Sequence, residues 1–106
     1  MSNSVFQGII SQLKDTTKRT FGVIDHEGCV IACTDPSLVG EQWTEATLRV
    51  ASASEQMITF GQKTFRGVVN SANVFEYAVF CLGEDELAKS LCGVLYVTLN
   101  NARFYL

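Results

Sequence analysis

The sequence is short of the residues from which most active sites are built. Its 106 residues include one histidine, one proline and only 18% charged residues. The four cysteines form no CxxC pair, and the eight glycines form neither a GxGxxG pattern nor a P-loop. Acid–base and nucleophilic catalysis usually depend on histidine, paired carboxylates or an activated cysteine or serine. We therefore predict that the chain is not an enzyme and has no catalytic residues, metal or cofactor.

Three further absences narrow the class of protein. The longest mainly apolar stretch, residues 91–99, is far shorter than the roughly 20 residues of a membrane-spanning helix. The first residues also lack the charged and apolar regions of a signal peptide. The eight basic residues are scattered and the net charge is −3, so no basic stripe can follow a phosphate backbone. We predict a cytoplasmic protein with no membrane contact and no nucleic-acid binding by this part of the chain.

The composition is that of one folded domain spanning residues 1–106. Hydrophobic residues make up 47% of the chain and aromatic residues 10%, which is enough for a single core at this length. Each cysteine stands in an apolar run, so we predict four reduced, buried thiols. The only histidine, His26, falls between two strand-like runs and is predicted to lie in an exposed turn.

The hydrophobic pattern predicts the order helix, two strands, helix, three strands, helix. The first helix begins with a capping box at Ser4 and ends near Thr20. Further helices are predicted from Glu41 to about Ser54 and after the acidic segment 83–86. The predicted strands are 21–24, 29–34, 57–60, 64–69 and 74–82. Residues 94–98 also have strand propensity, which leaves a sixth strand as an alternative.

Strand 74–82 decides the predicted architecture. It is apolar at both alternating sets of positions, which is typical of a strand that is covered on both faces of a sheet. We therefore predict an α+β fold: a five-stranded antiparallel sheet with the last strand at its centre and helices on both faces. The terminal helices are expected on one face and the middle helix on the other. This is the layout of PAS, GAF and profilin (roadblock)-like domains.

One arginine on this sheet is a candidate ligand anchor. If residues 70–73 form a four-residue turn, Arg66 falls opposite Tyr77 on the same face. Arg66 and Tyr77 could then bind a small anionic metabolite in a pocket between the sheet and the middle helix, with Trp43 as a wall and Thr34 as a further binding residue. The alternative is that Arg66 lies along the sheet with its charged end in water and that Trp43 is a core residue.

The last helix is predicted to be apolar on two sides. Leu87, Leu91, Val94, Leu95 and Ala102 would face the sheet, and a second set includes Cys92 and Leu106. A second apolar side needs a second partner, and we predict a homodimer. Its predicted interface residues are Phe6, Ile10, Tyr96, Leu99 and Phe104. The alternative is that the first helix covers this second side within one chain.

Several segments resemble a known family. FGVID (residues 21–25), GCVIACTD (28–35) and VGE (39–41) resemble the hairpin of bacterial sensory domains. EYAVF (76–80), GEDE (83–86) and the closing LNNARFY (99–105) resemble the second half of one such domain. The family is the N-terminal sensory domain of PucR/CdaR-type transcriptional regulators, which control purine catabolism and sugar-diacid use.

The resemblance implies a function as well as a fold. It implies a non-catalytic ligand-sensing and dimerisation domain, cut off before a C-terminal helix-turn-helix domain that would bind DNA. The alternative from another class is a roadblock-like scaffold that contacts other proteins and has no small-molecule ligand.

Overall fold

A computed structural model describes residues 3–102, which form five strands and three helices. The elements follow the predicted order, and residues 94–98 belong to the last helix rather than to a sixth strand. Two 3-10 turns, Lys14–Thr16 and Pro36–Leu38, follow the first helix and the second strand. The elements are α1 (Asn3–Leu13), β1 (Phe21–Asp25), β2 (Val30–Cys33), α2 (Thr44–Ala53), β3 (Met57–Phe60), β4 (Lys63–Val69), β5 (Phe75–Leu82) and α3 (Glu86–Ala102).

The strands form one antiparallel sheet in the order β2-β1-β5-β4-β3. The predicted α+β fold is therefore confirmed, with β5 at the centre. Helices α1 and α3 cover one face of the sheet, called the α1/α3 face below, and α2 covers the other, the α2 face. None of the helices within residues 3–102 is both long and apolar enough to cross a membrane.

The α1/α3 face holds the larger core. Its fully buried side chains include Phe6 and Ile10 of α1 and Cys92, Leu95 and Leu99 of α3. These side chains leave a cavity of only about 10 Å³, lined in part by Phe6 and Leu99. A cavity of this size is smaller than one water molecule, so the core here is closely packed.

The α2 face is covered by one ten-residue helix. Val50 of α2 packs on Phe65 and Phe80 of the sheet, and all three side chains are fully buried. The Trp43 ring lies edge-on to Phe80, with 4.7 Å between the ring centroids. Because α2 is short, the sheet remains partly open on either side of it, and hollows lie there.

The pairing of β4 with β5 differs from the predicted register. Arg66 lies opposite Val79 instead of Tyr77, and β5 begins one residue later than predicted. One reason is a longer turn: the Asn70 side chain accepts backbone hydrogen bonds from Ala72 and Val74. This local Asx-type structure holds residue 74 outside the ladder, so that Val69 pairs with Phe75. A bulge in the β4–β5 ladder, at the step between Val68 and Val69, shifts the pairing by one further residue.

The face of α3 that meets the sheet matches the prediction only in part: Leu95 is buried and Leu91 packs against the core as predicted, but the rest of the buried set differs. Ala88, Cys92, Leu95 and Leu99 are buried, whereas Leu87 and Val94 are 49% and 57% exposed. Both sets have helical spacing, so periodicity alone cannot choose between them. The buried set contains the small side chains of Ala88 and Cys92, and these allow the helix to approach the sheet closely.

The predicted dimer interface is therefore largely interior. Phe6, Ile10 and Leu99 are buried between helices and sheet of the same chain, so they are not available to a second copy. This matches the alternative in which α1 covers the second side of α3. Tyr96 is half-buried, and Phe104 lies outside the described residues.

The two edges of the sheet differ. The β2 edge is covered because Val30 donates a backbone hydrogen bond to Glu41 and accepts one from Gly40. The Gln7 side chain adds two more hydrogen bonds, one to and one from the Cys33 backbone. This covering segment runs extended where the sequence predicted helix, so α2 starts at Thr44 rather than Glu41. In the described part of the chain, β3 has no such cover.

Candidate functional site

The residues predicted to form one ligand site lie in different places. Arg66 and Tyr77 point into the α1/α3 face, while Trp43 packs on the α2 face. Thr34, at the end of β2, uses its hydroxyl oxygen to accept a hydrogen bond from the Phe21 backbone N–H at 3.2 Å. The structure therefore does not bring the four residues together.

Arg66 already has protein partners. Its guanidinium lies over the Tyr96 ring, 3.9 Å from the ring centroid, and its Nε donates to the Glu55 carbonyl at 2.9 Å. Tyr77 packs edge-on against Phe6 with 4.9 Å between ring centroids, and burial raises the pKa of its hydroxyl. The Arg66 side chain thus connects α3 to the sheet and does not face a pocket.

Trp43 stands at a different opening, which the loop before α2 creates. The Trp43 backbone N–H donates to the Gly28 carbonyl at 2.8 Å, and its own carbonyl accepts from the Thr47 hydroxyl at 3.0 Å. The indole Nε1 donates to a Glu41 carboxylate oxygen at 3.0 Å. With Phe80 behind the ring, the indole is fixed at several points.

Gly28 makes this arrangement possible. Its φ is +90°, a region that favours glycine, and a Cβ there would lie 2.3 Å from the Thr47 hydroxyl oxygen and 2.9 Å from the Trp43 carbonyl oxygen. The turn between β1 and β2 can therefore press against the start of α2. This turn thus contains a left-handed glycine, and it positions Trp43.

The turn between β3 and β4 forms the opposite wall. Gly61 and Gln62 have φ values of +58° and +62°, the left-handed pair expected of a two-residue type I′ hairpin. The Gln62 N–H donates to a Glu84 carboxylate oxygen at 2.8 Å, which ties the turn to the start of α3. The next residue, Lys63, places its ammonium 5.0 Å from the centroid of the Trp43 ring.

The hollow between these walls is called the Trp43 cleft. It has a volume of about 500 Å³ and opens to solvent. A second hollow of about 240 Å³ lies on the other side of the indole and shares Trp43, Gly61 and Lys63 with the first. The side chains that line the first hollow are those of Arg19, Leu38, Glu41, Trp43, Gln62, Lys63 and Leu82.

One cation of the cleft is fixed in place. Arg19 makes two hydrogen bonds of 2.9 Å to the Asp85 carboxylate and a third, also 2.9 Å, to the Leu82 carbonyl. The hydrogen bond from Arg19 is the main cause that lowers the pKa of Asp85 to about 2, and the same bond raises the pKa of Arg19. Arg19 is therefore a permanent, oriented positive charge on the cleft wall.

The other cation is adaptable. Among the described residues no carboxylate lies within ion-pair distance of Lys63, whose ammonium makes only a 3.5 Å contact with the Gly61 carbonyl. Glu41, the one carboxylate in the lining, is held by the indole N–H. Lysine donors form charge-assisted hydrogen bonds with carboxylates and phosphates. The cleft can thus bind a small anion next to an aromatic wall.

The sequence pointed to Trp43 but missed Arg19 and Lys63. Nothing near Arg19 signals a site, because its partner Asp85 is 66 residues away. Lys63 follows a glycine-containing turn, a signal for a hairpin rather than for binding. Only the strand register and the side of the sheet taken by α2 bring the two cations to Trp43.

Titratable side chains elsewhere are dispersed. Within residues 3–102 no group of three or more His, Cys, Asp and Glu side chains is arranged to hold a metal ion. His26 is exposed in the turn between β1 and β2. Burial raises the pKa of the Cys81 thiol to about 11 and that of Cys92 to about 12, so both are protonated at neutral pH. Cys33 is also buried, but Cys29 is half-exposed, contrary to the prediction of four buried thiols.

Comparisons with models of protein families, with curated proteins and with solved structures find no match to this chain.

Proposed function

We propose that the chain is a non-catalytic ligand-sensing and dimerisation domain of a bacterial transcriptional regulator and that it works in the cytoplasm. DNA binding would belong to a helix-turn-helix domain beyond this chain. The sequence resemblance suggests this role, and the Trp43 cleft is the observation that carries it. The proposed ligand is a small anionic metabolite that binds there rather than at Arg66.

The cleft is suited to sensing because its walls come from separate parts of the chain. The loop before α2 positions Trp43, the turn between β3 and β4 positions Lys63, and the start of β1 positions Arg19. A ligand bound to all three would hold these elements in one arrangement, and its differential affinity would favour that state. The contact between Gln62 and Glu84 would pass this restraint to α3.

A second candidate function has one observation in its favour. A roadblock-like scaffold needs no cavity, and the α1/α3 face is filled, with Arg66 stacked on Tyr96. Such a protein would use its surface for protein contacts only. The two proposals differ in whether any small anion stabilises the fold.

A thermal-shift screen against dicarboxylates, sugar acids and purine metabolites tests the sensory proposal. A ligand at 100 times its dissociation constant adds about 2.7 kcal/mol to the free energy of unfolding, an easily detected shift. We expect Lys63→Gln to lose most of that stabilisation. Arg66→Gln is the matched control, because it also removes one positive charge from the sheet but lies on the other face.

Two results would overturn the proposal. If no compound of these classes stabilises the protein, the scaffold function is favoured. If Arg66→Gln loses the response and Lys63→Gln keeps it, the ligand site is not the Trp43 cleft.

A further inference from the structure

Within residues 3–102, the β3 edge is the uncovered side of the sheet. β3 has four residues, Met57–Phe60, and contains no charged residue and no proline. Its pairing with β4 is regular, without a bulge. Charged residues, prolines and bulges are devices that keep edge strands from pairing with other chains. The β2 edge, in contrast, is covered by the chain before α2 and by the Gln7 side chain.

The hairpin fixes which backbone groups of β3 face outward. In a two-residue hairpin the residues that flank the turn exchange both backbone hydrogen bonds. Phe60 and Lys63 are that pair here, so Phe60 and, two residues before it, Ile58 direct their backbone groups to β4. The N–H and C=O groups of Met57 and Thr59 therefore point away from the sheet.

A groove of about 680 Å³ runs beside this edge, between α2 and β3. We call it the β3 groove. Leu48 of α2 projects over it and is 66% exposed. The Arg49 guanidinium lies 4.2 Å from the centroid of the Phe60 ring and 3.7 Å from the Glu45 carboxylate. The groove thus combines an exposed apolar side chain with one acid and one base.

We propose that a second copy of this chain docks at the β3 edge, so that its β3 pairs with this one antiparallel about a two-fold axis at Ile58. Met57 of each copy would then exchange two hydrogen bonds with Thr59 of the other, and Ile58 would lie opposite Ile58. This register satisfies all four outward-pointing backbone groups. The two sheets would join into one of ten strands, with Leu48 of both copies beside the axis.

The chemistry of the groove favours a second copy as the occupant. A two-fold contact places the same surface on both sides, so the surface must suit itself. Glu45 and Arg49 give this one zero net charge, in a chain whose net charge is −3. Two copies therefore repel each other less here than they would through an average part of the surface. The proposal rests on the dimerisation part of the proposed function, and it identifies the surface through which the two copies would pair.

Light scattering on the whole chain tests the proposal, with Leu48→Asp as the key variant. Leu48→Asp places a carboxylate at the axis and should weaken the dimer by about a hundredfold or more. Val94→Asp is the matched control, because Val94 is also an exposed apolar helix residue, 57% exposed against 66% for Leu48, and lies on α3. We expect the wild type and Val94→Asp to be dimers and Leu48→Asp to be a monomer.

Other outcomes would overturn the proposal. A wild-type mass near 11.7 kDa at concentrations of about 100 μM, or a dimer that Val94→Asp splits and Leu48→Asp does not, excludes the β3 edge. Ile58→Cys adds a positive test, since opposite residues of a pair without hydrogen bonds are close enough for a disulfide. An oxidised covalent dimer should form with Ile58→Cys but not with Val74→Cys, which is exposed elsewhere; equal cross-linking of both also rejects the register.

The two proposals fail separately. Monomeric Leu48→Asp keeps the Trp43 cleft, so it should still be stabilised by any anion that stabilises the wild type. Dimerisation without a stabilising anion would overturn sensing alone, and a ligand response in a monomeric wild type would overturn the docking alone.

Discussion

The two faces of the sheet are built in opposite ways. The α1/α3 face is covered by two helices and leaves a cavity of about 10 Å³, whereas the α2 face has one short helix between hollows of about 500 and 680 Å³. The closed face contains most of the fully buried side chains of the helices. The open face contains the clustered charges and Leu48, which is more exposed than Leu87 of α3.

This difference separates stability from binding. Burial of apolar surface is the largest favourable contribution to folding, and the closed face supplies more of it. A domain that is stabilised mainly from one side can leave its other side under-packed. The candidate ligand cleft and the proposed docking edge both lie on that open side, the cleft just before the N-terminus of α2 and the docking edge along the length of α2. The following predictions test this comparison, from the largest expected effect to the smallest.

The largest effect is expected from α3 on the closed face. Leu95→Ala removes a 2%-exposed side chain from the core and should lower the free energy of unfolding by about 2–5 kcal/mol. Leu87→Ala, on the same helix but half exposed, should change it by less than about 0.5 kcal/mol. Urea unfolding measures both. Equal losses would mean that α3 faces the sheet with the originally predicted side.

The same contrast shows how far the sequence could predict the fold. β5 at the centre follows from apolar residues at both alternating sets of positions, and the element order follows from periodicity. The rotation of α3 about its axis does not follow from periodicity, because α3 has two apolar stripes and both have helical spacing. The choice depends on how closely Ala88 and Cys92 let the helix approach the sheet, which is a property of packing and not of pattern.

The candidate site was less predictable than the fold. A two-residue difference in pairing moved Arg66 from Tyr77 to Val79. One residue of this difference comes from the turn that the Asn70 side chain holds and the other from the bulge in the β4–β5 ladder. The partner of Arg66 is Tyr96, which comes from α3 and not from the sheet. Contacts between distant elements depend on register and helix rotation together, and a small change in either one changes the neighbours of every side chain.

A moderate effect is expected where Arg66 joins the closed face. A double-mutant cycle with Arg66→Ala and Tyr96→Leu should give a coupling energy of about 0.5–2 kcal/mol, because the guanidinium lies over the ring at 3.9 Å. Denaturant unfolding of the four proteins supplies the values. A coupling near zero, together with lost ligand stabilisation in Arg66→Ala, would return Arg66 to the role of ligand anchor.

The smallest effect is expected at the ion pair that joins the two faces. Arg19 lines the Trp43 cleft and Asp85 precedes α3, and the pair holds the folded-state pKa of Asp85 near 2, below its ordinary value of 3.8. The ionised carboxylate therefore stabilises the folded state above pH 3.8, and this contribution is lost as the pH falls towards 2. Asp85→Asn should be slightly less stable than the wild type at pH 7.

The pH dependence separates this contribution from ordinary changes in packing. The difference in melting temperature between wild type and Asp85→Asn should shrink between pH 4 and pH 2 and continue to fall below pH 2, because the wild-type carboxyl is only half protonated at its folded-state pKa of about 2. Glu86→Gln is the control. Glu86 is 93% exposed and its carboxylate lies 3.7 Å from the Lys89 ammonium, and an exposed ion pair of this kind contributes little to stability. A difference that persists unchanged to pH 2 would mean that Asp85 acts through the hydrogen bond to the Ala88 N–H and not through its charge.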